Sequence, residues 1–235
     1  MKISAKKITT TAMLAAIAYV IMVFVRIPLI PAAPFLEYDP KDVLFVIIGF
    51  LIGPVEALVS IILVCLLEMV TVSDSGPIGL LMNVIASVCF VLPAALIYSK
   101  FKKLPGAIIG LIVGVICMTG SMVLWNYWIT PIYMNTPREV VAGMLLPVFV
   151  PFNLIKATLN MALTLIIYKP ISKVFHSIGI SKKAAANKDA STAAATADGS
   201  AEDNKKPAGR FSPLAIIIGV VLLAGCIVAL LLMKK

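Results

Sequence analysis

Charge is scarce in this chain: only 13% of its 235 residues are Asp, Glu, Lys or Arg, against 61% hydrophobic ones. Its mean hydropathy of +1.06 lies outside the soluble range and describes an integral membrane protein. His176 is the only histidine, and the four cysteines (Cys65, Cys89, Cys117 and Cys226) lie in apolar segments without a C-x-x-C pair. Cysteines so placed pack as small hydrophobes rather than forming disulfides or metal sites. No G-x-x-x-x-G-K-[ST] phosphate loop occurs, so the chain does not itself supply ATP hydrolysis. The acidic residues Glu56, Glu68 and Asp74 form no acid/base or nucleophile motif, which argues against a membrane enzyme. No internal repeat is evident, which counts against a self-sufficient secondary transporter.

What is present is a series of apolar runs. Helical spans are expected over 8–25, 43–52, 55–70, 78–98, 107–125 and 145–168. A tract rich in Ala, Ser, Thr and Lys follows over 177–211 and reads as a disordered linker. A last apolar run over 212–235 is long enough to cross once more. The expected fold is therefore an all-α integral membrane protein: a six-helix domain over 1–176, a linker and a seventh, C-terminal transmembrane helix. Basic residues outnumber acidic ones by 20 to 11 and gather beside the spans, at the amino terminus, at Lys100 to Lys103 and beyond Lys169. By the positive-inside tendency these ends are cytoplasmic. Alternation then places the Pro-rich loop 28–41 and the loops 73–77 and 126–143 outside.

Polar residues inside the spans are the functional candidates. Asn153, Lys156 and Asn160 fall at i, i+3 and i+7 in a helical register, and Thr164 extends the same face. An amine and two amides on one side of a membrane helix must face protein or a water-filled cavity. Asn and Thr also serve as hydrogen-bonding glue between spans, and spacing by itself leaves both readings open. Asn83 lies one turn inside the fourth span, while Asn126 and Thr130 form an i, i+4 pair in an aromatic stretch suited to the membrane interface. Glu56 and Glu68 each need an aqueous or protein partner, and Asp42 is placed to cap the second span. In the first loop Pro28, Pro31, Pro34 and Pro40 stiffen the backbone, so Phe35, Leu36 and Tyr38 stand on a rigid wall or lid. Ala12 and Ala16 make a small-xxx-small pair that admits a close partner helix.

Three separated motifs, FLEYDPKDV at 35–43, NYWITPIY at 126–133 and PFNLIKATLNMALT at 151–164, resemble the riboflavin-binding S components (RibU type) of energy-coupling factor (ECF) transporters. The resemblance spans roughly residues 5–175 and says nothing about the linker or the last apolar run. It implies a vitamin receptor in the cell membrane, with no resident cofactor, serving a transmembrane coupling protein and two ATPase subunits. It further implies that Ala12 and Ala16 meet the coupling protein, and that Asn126, Asn153 and Lys156 face the polar edge of the flavin. Phe35, Leu36 and Tyr38 would then cover the ligand. Asp39, Asn83, Asn160 and Glu56 are secondary candidates for its hydroxylated chain. Related S components bind other vitamins, so an S component for a different ligand is the alternative.

Overall fold

A computed structural model describes residues 5–31, 33–73 and 75–177. The expected linker and seventh span lie outside the described residues. Among the described residues seven α-helices run in order: α1 Ala5–Phe24, α2 Lys41–Leu51, α3 Pro54–Thr71, α4 Gly76–Lys100, α5 Leu104–Met134, α6 Arg138–Met144 and α7 Val150–Ser177. A π-helical turn, Leu145–Phe149, joins α6 to α7, making one segment from Arg138. Among the described residues five helical segments, α1, α3, α4, α5 and the segment Arg138–Tyr168, are long and apolar enough to cross a membrane. The chain is thus a multi-pass all-α bundle. Its β structure among the described residues is one two-residue antiparallel ladder, Ile27–Pro28 (β1) with Glu37–Tyr38 (β2), pinching the base of the Pro-rich loop.

The expected second span differs from the other helices. With 11 residues α2 is only about 16 Å long, half the hydrocarbon thickness of roughly 30 Å. Every residue from Lys41 to Phe50 is buried, because α2 packs against α1, α3, α4 and α7. Its uninterrupted run of Val, Leu, Ile and Phe is therefore the sequence of a core helix. Asp42 does not cap it: Pro40 occupies the N-cap with no side-chain bond, and the Asp42 carboxylate accepts hydrogen bonds from Ser87 and Asn160 instead.

The fifth helix is longer than expected. Residues 126–134, read as an interfacial loop, continue α5 to Met134, and the short break at 135–137 is all that precedes α6. Continuation puts Asn126, Thr130 and Tyr133 on a common face. Arg138 closes back over this end, 5.4 Å from the ring centre of Tyr127 and 5.5 Å from that of Trp128.

Contacts at the helix ends fix which loops lie together. Lys7 near the start of α1 reaches Glu56 near the start of α3 at 3.8 Å, while Tyr19 toward the end of α1 donates to Thr71 at the end of α3 at 3.0 Å, so these two helices run parallel. Ser75 and Tyr133 are 3.4 Å apart, joining the start of α4 to the end of α5. The Pro-rich loop, the loop before α4 and the α5–α6 turn therefore share one end of the bundle. The opposite end is filled by Phe50, stacked on Tyr98 at 4.3 Å, with Tyr168 edge-on to both; the Tyr98 and Tyr168 hydroxyls bond to each other.

Helices α4 and α5 approach closely enough to require glycine. A methyl at Gly114 would sit 2.4 Å from the Phe90 carbonyl oxygen, and one at Gly110 would sit 2.9 Å from that of Ala94. Backbone cannot give way as a flexible side chain does. Gly114→Ala is expected to destabilise the purified protein by about 1–3 kcal/mol. Gly120→Ala, with nothing within 4 Å, should be neutral or slightly stabilising because alanine is the better helix former. Thermal unfolding in detergent checks the contrast; equal melting curves for the two variants would refute this account of the helix contact.

Candidate functional site

A cavity of about 750 Å³, its mouth included, opens at the end shared by the three loops. Met118 and Met122 from α5, Met82 from α4 and Phe152 from α7 supply apolar wall. Phe35 and Leu36 reach it from the Pro-rich loop. The Phe35 ring lies 6.4 Å from Tyr133 and 6.3 Å from Phe149, in tilted contact with both.

Among these walls stand Asn83, Asn126, Thr130, Asn153 and Lys156. Their existing bonds decide what each can offer a ligand. Asn126 donates one amide hydrogen to the Met122 carbonyl at 2.6 Å and accepts from Thr130 at 2.9 Å, leaving its second N–H. Asn153 donates to the Phe149 carbonyl at 2.8 Å, keeping an amide oxygen and one N–H. Lys156 gives one hydrogen to Asp39 at 3.0 Å and retains two. The wall can present donor, acceptor and donor through Asn126, Asn153 and Lys156.

Behind this wall lies a network of buried charge. Asp39 accepts from both Lys156 and Lys41, at 3.0 and 3.1 Å. Lys41 donates also to Glu68 at 2.9 Å, whose other oxygen accepts from Arg26 and Asn83, each at 3.1 Å. Arg26 closes the series on Glu37 at 3.2 Å. Burial opposes ionisation of Asp39, but the ammonium groups of Lys156 and Lys41 outweigh it and hold the carboxyl well below the usual carboxylate range. A second, more polar cavity of about 790 Å³ adjoins the first along Phe35, Glu37, Ser75, Gly79, Asn83 and Tyr133, and reaches Arg26, Asp39 and Glu68.

The expected site residues therefore separate into groups. Phe35, Leu36, Asn83, Asn126, Asn153 and Lys156 line the main cavity together, while Asp39 lines the second. Tyr38 and Asn160 line neither: the Tyr38 hydroxyl donates to Asn160 at 3.1 Å, and Asn160 donates to Asp42 at 3.3 Å, all within the buried core. Tyr38 thus points into the bundle and not over the mouth. Glu56 is at the far end of the bundle with Lys7, away from any ligand chain in this cavity. Ala12 and Ala16 are exposed on the outer face of α1. The sequence analysis does not single out Arg26 or Lys41, which the structure places in this network. The signal was available in Glu68, since an intramembrane carboxylate demands a cation.

Comparison with known proteins gives the family. Residues 6–168 match the family described as ECF transporter, substrate-specific component. The riboflavin transporter RibU of Streptococcus thermophilus is 29% identical over 179 residues, covering 72% of this chain and 84% of that protein. The riboflavin transporter FmnP of Bacillus subtilis is 32% identical over 165 residues, covering 64% and 84%. A solved S component of a bacterial ECF transporter superposes with a TM-score of 0.61 at 30% identity, covering 72% of this chain and 97% of that one. The chain belongs to the substrate-specific, or S, components of ECF transporters, and is a transporter subunit rather than an enzyme.

Proposed function

We propose that this S component captures riboflavin for ATP-driven uptake. The observation that carries the reading is the donor, acceptor and donor set of Asn126, Asn153 and Lys156 on the wall of an otherwise largely apolar cavity. The imide edge of a flavin is its complement: two carbonyl oxygens flanking one N–H. Met118, Met122 and Phe152 suit the flat ring, and Phe35 and Leu36 suit its cover. The adjoining polar cavity, with Asn83 and Asp39, suits a chain of hydroxyls. Relatives named as riboflavin transporters support the same ligand.

The cavity end faces outward in this reading, because the lysines at 100, 102 and 103 lie at the opposite end of α4, where the positive-inside tendency places the cytoplasm. Partners are a transmembrane coupling protein and two ATPase subunits. Ala12 and Ala16, exposed among Met13, Ile17 and Val20 on α1, form the surface for the coupling protein.

The test is the absorption spectrum of the detergent-purified chain, followed by riboflavin titration with fluorescence quenching. The expected outcome is a flavin-coloured preparation or saturable, tight quenching. A colourless protein that does not quench riboflavin overturns this ligand, and a binding screen of other vitamins then identifies the cargo of the same cavity.

A further inference from the structure

We infer that Lys41, which touches neither cavity, is a positioning residue that sets the polarity of the ligand-cavity wall from behind. The inference rests on the riboflavin reading. Lys41 is a lysine only 1% exposed, at the first turn of the core helix α2. A buried ammonium in a membrane bundle is costly without partners, and this one has two carboxylates, Asp39 at 3.1 Å and Glu68 at 2.9 Å.

Each carboxylate carries Lys41's influence to a different wall. Asp39 uses the same oxygen, Oδ2, for Lys41 and for Lys156, so its position between the two ammonium groups sets where Lys156 Nζ stands. Glu68 uses Oε2 for Lys41 and Oε1 for Asn83 and Arg26. With Oε2 anchored, Oε1 orients the Asn83 amide by holding its Nδ2, which leaves the Asn83 oxygen as acceptor. One ammonium thereby fixes a donor on α7 and an acceptor on α4 (helices that line the cavity from different sides). It also joins the Pro-rich loop to α3 through the same two carboxylates. Supporting groups of this kind keep a binding constellation within the tolerance its ligand needs.

The experiment is a double-mutant cycle on the full chain, with riboflavin quenching as one readout and thermal unfolding without ligand as the other. Lys41→Met should raise the riboflavin Kd roughly tenfold, the loss of one well-placed polar contact. In a Lys156→Met background the same change should cost far less, because the group it positions is gone. Lys41→Arg, which retains the charge, should recover part of the affinity. An unchanged Kd for Lys41→Met overturns the inference. So does an equal loss in both backgrounds, which would mark a general effect on the bundle. If Lys41→Met yields no folded protein, the cycle is run with Lys41→Arg, where a smaller but still non-additive loss is expected and additivity overturns the inference. A wild-type protein that does not bind riboflavin overturns the ligand reading itself, a result distinct from binding that is indifferent to Lys41.

Discussion

Lys156→Met should weaken riboflavin binding by roughly 10- to 100-fold, the largest loss of any single cavity residue. Lys156 is the one ammonium among the cavity-lining residues, and hydrogen bonds to charged groups contribute about 1.5–3 kcal/mol against 0.5–1.5 for neutral ones. At 1.4 kcal/mol per tenfold, Asn153→Ala should therefore cost about tenfold or less. Methionine keeps the length and much of the apolar stem of lysine, so the cavity is not enlarged. The fold should tolerate the change better than most losses of buried charge, because Asp39 retains Lys41 at 3.1 Å. Fluorescence titration of wild type, Lys156→Met and Asn153→Ala under one condition measures the order. Equal affinities for wild type and Lys156→Met would remove Lys156 from the binding site.

The largest effect on stability is expected at Glu68. Its carboxylate accepts from Arg26, Lys41 and Asn83 while 5% exposed. Glu68→Ala leaves Lys41 with Asp39 alone and Arg26 with Glu37, in a region where water cannot fully replace the lost anion. Removing one partner of a buried ion pair costs about 3–5 kcal/mol, which corresponds to a fall in melting temperature of roughly 10 °C. Glu68→Gln, which keeps the shape and one acceptor oxygen, should fall between wild type and alanine. Glu56→Ala serves as the contrast: its link to Lys7 is 3.8 Å long and partly exposed on both sides, and exposed pairs contribute about 0–1 kcal/mol. Thermal unfolding of the three variants in one detergent decides the matter. A Glu68→Ala protein as stable as Glu56→Ala would mean that the buried network does not hold the bundle together.

The membrane class, the helical character of the chain and the polar face of the last described helix are all legible in the order of the residues. These depend on local quantities: an apolar run is legible at once, and Asn153, Lys156 and Asn160 share a face because helix geometry repeats every 3.6 residues. Which of those residues look into a cavity depends on how the helices pack. Asn153 and Lys156 do, whereas Asn160 meets Tyr38 and Asp42 in the core. Periodicity names a face without naming what stands opposite it. The same limit explains α2, whose run of apolar residues suits a span or a buried core helix equally, and α5, whose aromatic end suits an interface loop or a continuing helix. The charge network was least legible of all. Its ion pairs join Lys156 to Asp39 across 117 residues and Arg26 to Glu68 across 42. Such partners are brought together by the packing of α1, α3 and α7 around α2, a global outcome that no local pattern encodes.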